Sequence, residues 1–199
     1  MNRIKGFFEF VFLVFLLSAS ALTAQAQKET YTGTVLSYGT GMNTRSTTRN
    51  FTLNVTGATS DEKAKGFLSI LQDKGQNPLL DAINDEDLGN FSVGGSLGRT
   101  VNVVRQSQVD GRRRIFIVFE RWLQFGELRG GYRSVDYPFG VIELFMDDAT
   151  GKGSGTYIEA AKIRWTYDNK AKQYQVEIEN FATFPAKLLG VSQRNKQAR

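Results

Sequence analysis

From residue 87 to the C-terminus the chain keeps to one period. Runs rich in Val, Ile, Thr, Phe and Tyr recur at 91–93, 100–109, 114–123, 141–146, 156–167, 173–180 and 186–191. Such runs, bounded by Gly, Asp and Asn, are the pattern of β-strands. The links between them are short: QVDGRR around Asp110-Gly111, DDATGKGSG after Met146, and YDNKAKQ around Asp168-Asn169. A parallel pair needs a crossover of about a dozen residues or more, so these links join antiparallel neighbours. Ile115 to Phe119 (IFIVF) and Val141 to Met146 (VIELFM) are apolar on both faces, which predicts central strands. QYQVEIEN alternates, with Tyr174, Val176 and Ile178 set against Gln175, Glu177 and Glu179, and predicts a strand with one wet face.

The first part of the chain adds two strands and a helical insertion. Residues 29–38 and 47–56 are rich in Thr, Val and Tyr, and the Gly- and Asn-containing segment 39–46 suits the loop of a hairpin. Then the period changes to that of a helix over 60–74. Thr59 and Glu62 have capping-box spacing, Asp61 and Glu62 suit the positive helix end, and Phe67, Leu68, Ile70 and Leu71 form an apolar stripe. A shorter helix follows, with Asn77 as N-cap and Pro78 at its first position. The expected fold is therefore mainly β (α+β): an antiparallel barrel or sandwich of about eight strands, with a helical hairpin inserted after the second strand and covering one end or face.

The N-terminal stretch stands apart. Arg3 and Lys5 precede an apolar run over 10–17, and small residues lead to Ala24-Gln25-Ala26. That order predicts a secretory signal peptide over 1–26, cleaved after Ala26, and a periplasmic or secreted protein. The run is shorter than the roughly 20 residues a membrane span needs, so no transmembrane span is expected in the mature chain. Residues 27–199 then form a single β-rich domain of 173 residues with 23 basic and 19 acidic side chains. This length supports a core without cross-links.

The chain has no histidine and no cysteine. A Ser-His-Asp triad, a thiol nucleophile, a common zinc site and a His-ligated haem are thereby excluded. No cofactor, metal site or catalytic set is expected. GKGSGT, residues 151–156, resembles a phosphate loop, but Lys152 is followed by Gly153 and no glycine lies five residues before Gly151. It reads as a hairpin turn whose glycines supply positive φ. Ser60 to Lys63 matches the S-x-x-K of penicillin-binding proteins without the Lys-Thr-Gly element, and Ser60 reads as a helix-start residue.

Two functional readings survive. Glycoside hydrolysis needs only two carboxylates, and Glu120, Asp136, Glu143 and Glu159 lie on or beside apolar strands. Glu143, flanked by Ile142 and Leu144, is the first candidate, with pairing to an arginine of a neighbouring strand as the structural account. The richer region is RWLQFGELRGGYRSVDYPFG, residues 121–140, which interleaves aromatic rings and arginines in a loop between two central strands. From Arg99 to Arg133 eight arginines stand against Asp110, Glu120 and Glu127. Forked guanidinium donors suit phosphate and carboxylate, while aromatic rings suit sugars and acyl chains. The expected ligand-binding residues are Arg121, Trp122, Arg129, Tyr132, Arg133 and Tyr137. An exported, non-catalytic binding or interaction module of the bacterial cell envelope, taking an anionic lipid or glycan, is the leading reading, and a carboxylate-dependent glycan hydrolase is the alternative. The export signal argues against nucleic acid despite a pI near 9.5. An outer-membrane barrel of eight strands has about this size, but a capped helical hairpin, strands without a polar lumen face and the charged tail SQRNKQAR argue against it.

Overall fold

The computed structural model describes residues 28–39, 45–123, 127, 129, 133–182 and 184–194. The expected signal peptide, most of the loop 39–46 and Tyr132 lie outside the described residues. The chain runs β1 (Glu29–Ser37), β2 (Thr47–Val55), α1 (Asp61–Lys74), α2 (Gln76–Asn84), β3 (Gly89–Val93), β4 (Arg99–Thr100), β5 (Val103–Val109), β6 (Arg112–Glu120), a 3-10 turn (Arg133–Asp136), β7 (Phe139–Asp147), β8 (Lys152–Asp168), β9 (Gln173–Asn180) and β10 (Ala186–Gln193).

All described pairings are antiparallel. The strands form one ten-stranded sheet in the order β4-β3-β2-β1-β10-β8-β7-β6-β5, with β9 paired to the far half of β8. The expected barrel or sandwich of about eight strands is thus corrected to a single sheet of ten whose ladder is not closed. Its two ends nevertheless meet on one stretch of chain. The expected strand 100–109 breaks into β4 on β3 and β5 on β6, and between them Val101 N donates to Gly89 O while Asn102 N donates to Val118 O. Asn102, buried, also bonds the Glu86 carbonyl and the Glu120 N–H, fixing the place where the segment changes partners.

This curl makes two cores. Inside it lie Tyr31, Leu53, Phe91, Ile115, Ile117, Phe119, Ile142, Leu144 and Leu188, drawn from both halves of the sheet. Outside, Leu71, Leu79 and Ile83 of the helical pair cover Val118, Phe139, Val141, Ala161 and Ile163 of β6, β7 and β8. The two-faced apolar strands β6 and β7 therefore stand where they separate one core from the other. At roughly 25 cal/mol per Å² of apolar surface, this double burial is the main stabilising term, and the helical hairpin exists to complete it.

Local details differ from the sequence reading in instructive ways. Ser60 is the N-cap of α1, accepting from Lys63 N at 3.2 Å, whereas Thr59 is buried and its hydroxyl accepts from Val104 N. Thr59 thus ties the helix start to β5. The second helix begins at Gln76 because Gly75, at φ 84°, ends one helix and opens the next. Of the glycines in GKGSGT only Gly151 has positive φ. Gly153 and Gly155 lie within β8, where a Cβ would strike the Phe145 and Glu143 carbonyl oxygens of β7. They permit close approach of backbones, which is the other use of glycine in a strand.

The end of the curl where β6 begins and β7 ends is filled by polar side chains. Arg113 points inward and donates to Glu29 (2.7 Å), Asp148 (2.9 Å) and Gln193 (3.0 Å), while Tyr31 donates its hydroxyl to Glu29. Burial raises the Tyr31 hydroxyl well above its ordinary pKa, with Glu29 adding to the effect. Arg112 and Arg114, one residue to either side, face the other way. Arg114 pairs with Glu143 at 2.6 Å, and Arg112 lies over the Phe145 ring.

Candidate functional site at the open mouth of the sheet

At the opposite end the interior is open. Here the starts of β2 and β4, the ends of β3 and β6, the middle of β8 and the residues that follow β6 and β9 line a cavity of about 530 Å³. Its floor is aromatic. Phe91 meets Tyr157 edge-on at 5.1 Å and Phe119 at 5.6 Å, and Phe119 stacks on Tyr157 at 6.2 Å. Gly140 is part of the reason Phe119 can lie there, because a Cβ at that position would occupy its ring.

Three arginines line the wall, and they do different things. Arg121 is a staple. Its Nε donates to the Tyr137 carbonyl (2.6 Å), Nη2 to the Ser134 carbonyl (2.6 Å) and Nη1 to Glu127 (3.1 Å), while its backbone N–H bonds Pro138. The long loop 121–138 is thereby gathered at its base. Arg49 makes a loose contact with Glu159, 3.5 Å, between side chains about half exposed. An ion pair of that kind contributes about 0–1 kcal/mol and leaves the guanidinium available.

Arg99 is the unusual one. Its guanidinium carbon sits 3.3 Å from the centroid of the Trp122 ring. Its Nη2, shut off from solvent, has no hydrogen-bond partner among the described residues. Burial depresses the Arg99 pKa below its ordinary value, and the Glu120 carboxylate and Tyr157 counter this in part. Tyr157 responds in turn: burial raises its hydroxyl far above the usual value, Glu159 adds to the rise, and Arg49, Arg121 and Arg99 oppose it. A buried polar hydrogen without an acceptor costs about 1–3 kcal/mol, and more on a charged group. The arrangement is poised for an acceptor that carries negative charge.

Of the residues singled out from sequence, Arg121 and Trp122 line this mouth. Arg129 is exposed on the loop. Tyr137 is buried beneath it, donating to Glu179 and packing its ring on Phe181 at 5.1 Å. Tyr132 and the side chain of Arg133 lie outside what is described. Sequence reasoning missed Arg49, Arg99, Phe91, Phe119 and Tyr157 as partners, because they come from five strands spread over more than a hundred residues. Arg99 was counted in the arginine-rich segment, and its place at a glycine-rich hairpin was the available signal.

The carboxylates are scattered. Glu143 is on the outer face with Arg114, Glu120 accepts from Asn84 (3.0 Å), and Asp136 is exposed. Glu159 alone of the four lines the mouth, joined there by Glu127. Each is paired with an arginine. The Glu159 side chain is about half exposed, and Glu127 is part-buried beside Arg121. Among the described residues no group of acidic side chains is placed to hold a metal ion, and no helix is long and apolar enough to cross a membrane.

Comparison with known proteins adds no family. No protein-family model, no curated protein and no solved structure matches the chain.

Proposed function

We propose that this protein is an exported, non-catalytic binding module of the bacterial cell envelope whose open mouth holds an anionic amphiphile, a lipid or an acidic glycan. The observation that carries the reading is Arg99, a residue of the mouth's wall whose Nη2, sealed from solvent, has no partner among the described residues. Phosphate or carboxylate would accept from that guanidinium, and the Phe91–Phe119–Tyr157 surface would receive an acyl chain or the apolar face of a sugar. Arg49 stands across the mouth as a second, weakly engaged donor. Arg121 acts through the loop it staples and holds Trp122 in place. Export is supported by the basic start, apolar run and Ala24-Gln25-Ala26 of the N-terminal segment.

The test is a fluorescence titration read on Trp122, comparing dodecyl phosphate with dodecyl maltoside below their micelle concentrations. The anion is expected to bind the more tightly. Arg99→Ala should weaken it about ten- to a hundredfold, the span of a charged hydrogen bond, and circular dichroism checks that the fold survives the loss of the Arg99–Trp122 stacking. Equal affinity for both detergents, or an Arg99→Ala protein that binds as before, contradicts the proposal.

A further inference from the structure

We infer that the rim of the mouth is a docking face for an anionic lipid bilayer. Eight large apolar side chains are exposed among the described residues, and five belong to the segments around the mouth: Tyr38, Leu97, Trp122, Phe181 and Phe184. Single exposed apolar residues are ordinary on any protein. Five at one end, contributed by four separate segments, form a patch of the kind that marks an interaction surface. Leu97 is 89% exposed at the tip of the β3–β4 hairpin, between Ser96 and Gly98 of the cavity wall. Trp122 is 63% exposed on the stapled loop, and Phe184 touches Tyr38 edge-on at 6.1 Å.

The chemistry of the rim selects the occupant. Trp and Tyr settle at the level of lipid headgroups, where one side of the ring is wet and the other apolar, and Leu and Phe reach past them into the acyl boundary. Arginine among them adds attraction to anionic lipid, roughly 1 kcal/mol per basic residue near such a surface. Arg49 and Arg99 line the mouth, and Arg129 is exposed on the same loop as Trp122. A flat protein partner would span the rim and leave the cavity and Arg99 empty beneath it. A bilayer supplies a headgroup that can enter. The choice of a bilayer over a flat protein rests on the binding reading above, whereas the exposure of the apolar rim does not.

Residues 27–199 carry every described strand and helix and both cores, so this piece serves for the test. Its sedimentation with vesicles of phosphatidylcholine alone is compared with vesicles containing an equal part of phosphatidylglycerol. The wild-type chain is expected to pellet with the anionic vesicles and to be released by salt. A Leu97→Ser/Phe184→Ser chain, which adds no charge beside the mouth, should partition at least about tenfold more weakly, from the loss of two inserted side chains, yet keep its affinity for dodecyl phosphate. Both positions are exposed, and circular dichroism checks the fold; Leu97→Ser alone serves if the double variant unfolds. Failure of the wild type to pellet with anionic vesicles overturns the inference, as does an unimpaired double variant. A concentration-dependent dimer that the double substitution abolishes also overturns it, in favour of self-association. Vesicle binding retained without dodecyl phosphate binding upholds the rim and defeats only the cavity reading.

Discussion

At the residue scale, parity decides what each charged side chain does. In Arg112-Arg113-Arg114 the middle residue enters the interior and ties β1, the β7–β8 turn and β10 together, while its neighbours lie on the other face. Alternation along a strand makes this split unavoidable, but which of the two faces is inside depends on the register with β7. The turn after β7 shows what a single carboxylate contributes. Asp147 accepts from the backbone N–H groups of Ala149 and Thr150, and these bonds hold its pKa below the ordinary 3.8. Because the folded value is the lower one, its stabilising effect is present above the unfolded value and is lost as pH falls through the folded value. Asp147→Asn keeps the acceptor and removes the titration. Urea-unfolding midpoints measured from about pH 5 down to about pH 2 should therefore fall less steeply for the variant; identical slopes would show that the turn carboxylate is not linked to folding. The turn itself was legible in DDATGKGSG. The separate roles of Gly151, Gly153 and Gly155 were not, since two of them depend on where the backbone of β7 passes.

At the element scale, period and punctuation were informative. β1, β2, α1, β9 and the two-faced strands β6 and β7 fall where apolar spacing put them, with ends off by up to about three residues, the most at the end of β6. The misses have local causes. Ser60 outcompetes Thr59 as a cap because Thr59 has a buried partner in β5, and Tyr174, expected inward, is exposed and stacks on Trp165 at the far end of a hairpin. The helical pair belongs to the outer core, and its energetics can be tested there. Ile83, 1% exposed, packs in the cluster over β6 and β8. Ile83→Ala should destabilise the protein by about 2–5 kcal/mol in denaturant unfolding, against about 1 kcal/mol for Ser60→Ala at the helix cap. A loss at Ile83 no greater than that at Ser60 would mean that the helices are accessory to the fold.

At the scale of the whole molecule, the mouth is a product of strand order. Antiparallel pairing and the helical insertion could be read from link lengths and periods. The path that places β10 between β1 and β8, and the segment that carries chain from β3 to β6, rest on contacts between residues far apart in sequence. Local patterns carry no record of them. The aromatic and arginine loop was therefore recognised as the richest stretch, while Arg99, whose Nη2 lacks a partner at the cavity wall, stands about twenty residues before it. The curl also separates roles: one end is filled by the Arg113–Glu29 network, and the other is left open with Arg99 at its wall. Native mass spectrometry of the chain, purified gently from its own cells, tests the central claim most directly. A bound mass matching an anionic lipid or acidic glycan, present on the wild-type protein and depleted from Arg99→Ala, is the predicted result. Bare protein alone, or a neutral adduct that both proteins carry equally, would contradict it.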